Sequence, residues 1–295
     1  MNIGLIGLGN MGGRIAKRLM ERGHQLCVYD VNSDLLEDFR TLGAKTTDSL
    51  PDLARSCYYV MTVLPNADVV KSVVLEKEGL ITGMEPGNVL IDITSSVPDV
   101  TTEVGESLDQ RGIRMLDAPV SGGLKRAEEG ELAVMAGGDE KTFSEVLPLL
   151  NDIGSNITHV GELGAGHTIK VLNNLVSATT FAITAEALSI GIKKGLSPSK
   201  MLEVINHSTG RNNSSENKFP QHVLTRKFDV GFAMDLMCKD LTIATDIIRN
   251  EKMPAFVSDT VYQLWQYAQS KSEKGADHSV YAKLIEEMSG LEIKD

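Results

Sequence analysis

A short apolar run at residues 3–6 is followed without a gap by Gly7-Leu8-Gly9-Asn10-Met11-Gly12, and then by a segment, 14–22, with apolar residues at helical spacing. A strand, a G-x-G-x-x-G turn and a helix start, in that order, form a cradle for a pyrophosphate. Gly7 makes the tight turn, Gly9 lets bare backbone N–H groups approach phosphate oxygens, and Gly12 lets the helix pack closely on the strand. The free amides of the first helical turn, Asn10 and Met11 included, and the helix dipole supply the positive potential. A second apolar run, Gln25–Tyr29, ends in Asp30, at the separation of an acid that binds the adenosine ribose. A carboxylate there accepts from the ribose hydroxyls and repels a 2′-phosphate, and Val31, Asn32 and Ser33 bring no base. The sequence therefore predicts a site for NAD in preference to NADP. Asp30 could instead cap the following helix, a role that Asn32, Ser33 and Asp34 could equally fill.

Apolar runs at 58–64, 89–93, Arg114–Asp117 and 132–136 alternate with helix-like segments at 34–42, 68–75 and 97–111. That alternation predicts an α/β fold, a Rossmann-type doubly wound parallel sheet with crossover helices. Ligands of such sheets gather beyond the carboxyl ends of the strands. The chain places Leu64-Pro65-Asn66, Thr94-Ser95-Ser96 and Pro119-Val120-Ser121-Gly122-Gly123 there. Each is a candidate wall of one cleft, although Thr94-Ser95-Ser96 alone would also serve as a helix cap. After Gly161 the alternation stops, and from Gly166 the pattern is helical, with breaks near Gly195–Pro198, Thr209-Gly210, Phe219-Pro220 and Met253-Pro254. We divide the chain accordingly into a dinucleotide-binding domain, 1–161, and an all-α substrate and oligomerisation domain, 162–295, which opens on a long helix.

That helix, 169–192, is apolar on nearly every side but is interrupted by Asn173, Asn174 and Glu186. Polar groups are costly in hydrocarbon, so a buried helix between domains or subunits is expected rather than a membrane span. An apolar helix too long for one small domain to bury suggests a homodimer or homotetramer. The formal charge of −11 excludes a generally basic surface, so neither nucleic acid nor anionic lipid is an expected partner. Cys27, Cys57 and Cys238 are odd in number and widely spaced, which fits reduced thiols in the cytoplasm rather than disulfides or a zinc site. The start at Met1-Asn2-Ile3 carries no basic leader, in keeping with that expectation.

Lys170 and Asn174 lie four apart in the first turns of the long helix and so share a face. A buried ammonium beside an amide can give a proton to a carbonyl oxygen; the alternative from spacing alone is a structural lysine.

Four motifs in order resemble the β-hydroxyacid dehydrogenases, the family of 3-hydroxyisobutyrate dehydrogenase and tartronate semialdehyde reductase. They are the turn at 7–12, Asp117-Ala118-Pro119-Val120-Ser121-Gly122-Gly123, Gly164-x-Gly166-x-x-x-Lys170-x-x-Asn173-Asn174, and Lys239-Asp240-Leu241. The resemblance implies that Ser121, Gly122 and Gly123 bind a substrate carboxylate, that Lys170 is the catalytic acid and base, and that Asn174 orients substrate. It further implies that Met11, Leu64, Pro65 and Thr94 line the cofactor and that Lys239 lies against cofactor and substrate; from their places beyond the strands, Asn66 is expected at the cofactor and Thr94 at the substrate as well. The implied reaction is hydride transfer between NAD and a small 3-hydroxy acid or its semialdehyde.

Relatives often have Gly at Arg126 and Thr at Glu131, and Arg126 or Arg211 could bind a second anionic group of the substrate. An imine reductase would share the architecture but typically replaces the lysine. A phosphosugar-acid dehydrogenase would need a more basic pocket and a longer helical domain. A non-catalytic dinucleotide-dependent scaffold would have lost Lys170.

Overall fold

The computed structural model describes residues 1–295, which divide into two compact units, Met1–Lys170 and Val171–Asp295. The first unit alternates β1 (Asn2–Ile6), α1 (Asn10–Glu21), β2 (Gln25–Tyr29), α2 (Ser33–Thr41), β3 (Lys45–Thr46), α3 (Leu50–Ser56), β4 (Tyr59–Thr62), α4 (Ala67–Leu75), β5 (Val89–Asp92) and α5 (Pro98–Asp109). It continues with β6 (Arg114–Asp117), β7 (Val120–Ser121), α6 (Gly123–Glu129), β8 (Leu132–Gly137), α7 (Glu140–Ile153) and β9 (Gly154–Gly161). The strands run β3-β2-β1-β4-β5-β6-β8-β7, with β9 added to β8. From β3 to β6 all pairings are parallel, whereas β8 runs antiparallel to β6 and β7 and parallel to β9.

Both faces of the parallel part are covered, which is why its strands read as nearly unbroken apolar runs. Ile3, Leu5, Val89 and Ile91 enter one core with Ile15 and Leu19 of α1. Ile6, Val60 and Leu90 enter the other with Val104 and Leu108 of α5. Chain direction reverses its march across the sheet between β1 and β4, and the loops that leave those two strands flank the switch point where such sheets take their ligands.

The second unit is helical. It holds most of α8 (Ala165–Lys193), then α9 (Pro198–Asn206), α10 (Met234–Asn250), α11 (Phe256–Lys271) and α12 (Tyr281–Ser289). Its core is aromatic: Trp265 stacks on Tyr281 with ring centroids 4.7 Å apart, Phe181 lies 4.8 Å from Phe219, and the Trp265 indole donates to the Ala178 carbonyl at 3.3 Å. The break expected at Phe219-Pro220 is absent. Residues Ser214–Val223 pass through Pro220 as a π-helix, a wider turn that moves the carbonyl with which a proline ring collides in an α-helix. By length and hydropathy α8 could cross a membrane, but Val171, Ala178, Phe181, Ala185 and Leu188 are buried within the protein itself.

Candidate active site

The turn after β1 shows a steric demand for glycine at two of its three glycines, Gly7 and Gly12. Gly7 has φ +95°, in the region that side chains avoid, and a Cβ there would overlap the Val63 carbonyl oxygen of the loop after β4. A Cβ on Gly12 would overlap the Gly7 carbonyl oxygen, so α1 can cross the end of β1 only with glycine at that contact. Gly9 is the opposite case, with nothing within 4 Å of its Cβ position. It is also the N-cap of α1 and brings no side chain to satisfy the helix amides. An open hollow over uncapped N–H groups is what a dinucleotide pyrophosphate fills, so the residues present fit that group. Asn10 and Met11 form the first turn, where Asn10 is exposed and Met11 packs on the core beneath.

Asp30 stands at the end of β2 and ties the turn together. Its carboxylate accepts from the Leu8 amide at 2.6 Å and from the Asn32 amide at 2.8 Å. Each oxygen keeps a further lone pair for a ribose hydroxyl. Asn32, not Asp30, caps α2, accepting from the Asp34 amide at 3.0 Å. Across the switch point, Thr94 is buried and its hydroxyl accepts from the Leu64 amide at 3.0 Å, fixing the loop that carries Leu64 and Pro65. The Asn66 side chain is engaged as the N-cap of α4, accepting from the Val69 amide at 3.0 Å. Its contribution to a ligand is therefore the loop geometry it sets.

Two buried carboxylates end the neighbouring strands, and motif reading did not single them out for a role. Asp92 closes β5 and accepts from Thr62 Oγ1 at 2.9 Å and from the Thr94 amide at 3.0 Å, all through Oδ1. Asp117 closes β6 and receives the start of α8: Oδ1 accepts from the Gly164 amide and Oδ2 from the His167 amide, both at 2.7 Å. A carboxylate at a helix N-terminus is favoured both by its hydrogen bonds and by the dipole.

His167 sits between the two acids, fully buried, with Nε2 3.9 Å from Asp92 Oδ2 and Nδ1 2.7 Å from Thr101 Oγ1. Because the Thr101 hydroxyl already donates to the Val97 carbonyl, Nδ1 is assigned as the donor to Thr101. Nε2 and Asp92 Oδ2 then lie 3.9 Å apart, and neither has a hydrogen-bond partner. Burial pushes the Asp92 carboxyl up, and the neighbouring His167 opposes that shift. The group that fixes the cofactor-side loop and the helix that carries Lys170 thus meet in one buried network.

Lys170 follows His167 by three residues on α8 and is buried, 5% exposed. Ser121 ends β7, and Gly122 and Gly123 follow with φ +137° and +77°, in the region that favours glycine, at the start of α6. In the second unit the Asn174 amide donates to Asp240 Oδ2 at 2.6 Å, and Lys239 Nζ lies 3.5 Å from Asp240 Oδ1. Asp240 therefore orients Asn174. Its place inside the Lys239-Asp240-Leu241 motif was the one available signal.

Comparison with known proteins finds relatives over nearly the whole chain. A family described as the NAD binding domain of 6-phosphogluconate dehydrogenase matches residues 2–161. A second, described as the NAD-binding of NADP-dependent 3-hydroxyisobutyrate dehydrogenase, matches residues 164–285. The chain is 34% identical to 2-(hydroxymethyl)glutarate dehydrogenase of Eubacterium barkeri over 99% of its own length and 97% of that protein. The chain belongs to the β-hydroxyacid dehydrogenase family. It is also 34% identical to mouse mitochondrial 3-hydroxyisobutyrate dehydrogenase, over 97% of this chain and 87% of the relative. The structure of Mycobacterium tuberculosis 3-hydroxyisobutyrate dehydrogenase with L-serine superposes with a TM-score of 0.89 at 29% identity, covering 96% of this chain and 98% of that one. As a β-hydroxyacid dehydrogenase the protein is an NAD(P)-dependent oxidoreductase.

Of the two arginines weighed for a second substrate anion, Arg211 is given to Glu216 at 2.6 Å on the surface. Arg126 lies exposed on α6 with its stem over Gly122, whose Cβ position is 2.9 Å from Arg126 Cδ.

Proposed function

We propose that this β-hydroxyacid dehydrogenase interconverts a small 3-hydroxy acid and its semialdehyde with NAD. The observation that carries the reading is a buried lysine, Lys170, three residues beyond a helix start that Asp117 anchors to the sheet. Gly7, Gly9, Asn10, Met11 and Gly12, with Asp30, Leu64, Pro65 and Thr94, would hold the cofactor, and Lys239 would lie against it. When bound, the cofactor supplies or accepts the hydride. The Ser121, Gly122 and Gly123 amides hold the substrate carboxylate, and Asn174, oriented by Asp240, positions the carbinol. Lys170 gives a proton to the oxygen of the semialdehyde during reduction and takes it back from the hydroxyl during oxidation. Held in this way, the reacting groups meet with the advantage of an intramolecular step.

Asp30 supports NAD over NADP, because a carboxylate at the end of β2 would repel a 2′-phosphate and no basic residue follows at 31–34. The decisive experiment follows cofactor absorbance with 3-hydroxyisobutyrate, glycerate, 4-hydroxybutyrate and 2-(hydroxymethyl)glutarate, each with NAD and NADP. We expect turnover of at least one acid, with kcat/KM at least tenfold higher for NAD. Silence across the whole panel would overturn the reading of a small 3-hydroxy acid as substrate.

We further propose that the working molecule is a homo-oligomer. Ile169, Val176, Ile183 and Ile190 recur every seven residues along α8 and are all exposed, the spacing of a helix–helix seam. Light scattering should return the mass of a dimer or tetramer. A monomer that survives at micromolar concentration would end this reading.

A further inference from the structure

Among the cations packed inside the helical unit, Lys218 lacks a matching acid. It lies in the π-helical segment and is only 9% exposed. Its Nζ donates to Ser177 Oγ at 2.8 Å and stands 5.8 Å from the centre of the Phe181 ring, with no carboxylate oxygen within 4 Å. Other half-buried cations of the chain are matched: Arg226 is paired with Glu286 and Arg114 with Glu145. Asp277 is the acid that acts on Lys218 through space, but its own oxygens are taken by the Gly231, Phe232 and Ser279 amides and the Ser279 hydroxyl. Burial pushes Lys218 down to about 8. A desolvated ammonium without a contact ion is a costly group to keep, unless an anion arrives to neutralise it.

The position of that ammonium is informative. Lys170, Asn174 and Ser177 are spaced by four and three residues and so lie on one face of α8, with Ser177 two turns, about 10 Å, beyond Lys170. Lys170 and Asn174 mark where the reacting carbon is handled, and Ser177 with Lys218 marks a point further along the same face. We propose that Lys218, assisted by Ser177, binds a second carboxylate on the substrate, so that the preferred 3-hydroxy acid is a dicarboxylate. This inference rests on the hydroxy-acid reading above. It replaces Arg211, which is already engaged with Glu216, as the group that recognises a second anion. A carboxylate between Nζ and Oγ accepts from both and adds the ion pair that the single ammonium–hydroxyl bond lacks.

The test compares kcat/KM for 2-(hydroxymethyl)glutarate and 3-hydroxyisobutyrate in wild type, Lys218→Met and Lys218→Arg, with equilibrium binding of glutarate followed through the fluorescence of Trp265, the sole tryptophan. Wild type should favour the dicarboxylate at least tenfold, Lys218→Met should lower that ratio at least tenfold and weaken glutarate binding to match, and Lys218→Arg should retain most of both. A wild type that oxidises 3-hydroxyisobutyrate but gains nothing from the second carboxylate overturns this inference and leaves the hydroxy-acid reading standing. Equal loss for both acids in Lys218→Met, with the ratio intact, also overturns it and makes the lysine structural. If neither acid is turned over and glutarate does not bind, this inference falls, whereas the hydroxy-acid reading falls only when glycerate and 4-hydroxybutyrate are silent too. Should Lys218→Met not fold, the wild-type preference and the Lys218→Gln ratio decide the matter.

Discussion

Replacing Lys170 with alanine is expected to lower turnover about a hundredfold or more while the dissociation constant for NADH stays within about twofold. The expectation separates two roles that a buried lysine can play. A proton donor acts at the reacting oxygen and contributes mainly to the transition state, so its loss appears in kcat. A structural lysine holds its surroundings, so its loss would spread into cofactor binding and melting temperature. The glycine turn and Asp30, which would grip the cofactor, are fixed by contacts among Leu8, Asn32, Val63 and the strands. A second arm uses proton bookkeeping. Oxidation needs the neutral amine to receive a proton and reduction needs the ammonium to give one. The oxidation rate should therefore climb towards alkaline pH and the reduction rate should fall. A flat oxidation profile from pH 7 to 10, or equal loss of turnover and NADH affinity in Lys170→Ala, would remove the lysine from the chemistry.

The largest structural effect is expected at the nucleotide turn, where two neighbouring glycines should respond differently to the same methyl group. In Gly12→Ala the added carbon overlaps the Gly7 carbonyl oxygen, which is backbone and cannot step aside. The turn must open, and we expect a lower melting temperature together with loss of detectable NADH binding. In Gly9→Ala the added carbon meets no protein atom within 4 Å, and the backbone φ of −61° suits alanine. That variant should melt within about 2 °C of wild type yet bind NADH at least tenfold more weakly, which corresponds to about 1.4 kcal/mol. Differential scanning fluorimetry and NADH titration read the two quantities separately. Full NADH affinity in Gly9→Ala would place the pyrophosphate elsewhere.

Local patterns carried much of this molecule in its sequence. The glycines at 7, 9 and 12 could be given separate reasons because each reason is a matter of a few neighbouring atoms. The apolar runs of β1, β4, β5 and β6 stood out because a sheet covered on both faces demands them. The two-residue strands β3 and β7 and the exposed β9 lack that signature, since their side chains do not fill a core on both sides. What spacing could not show is partnership across the chain. Asp117 grips amides 47 and 50 residues away, and Asn174 finds Asp240 at a separation of 66. Lys218 reaches Ser177 from 41 residues downstream, so the sequence offered the more conspicuous Arg211 in its place. Pro220 signals a break because proline forbids the ordinary helical turn, and the π-helix evades that restriction.

The Asp117 clasp has a practical meaning for anyone recombining proteins of this kind. Since the last residue of β6 holds the first amides of α8, the location of Lys170 is inherited from the sheet, not from the bundle that follows it. A chimaera that borrows its helical portion from another source should be spliced downstream of Val171. A seam at the end of β9 would part Lys170 from its anchor.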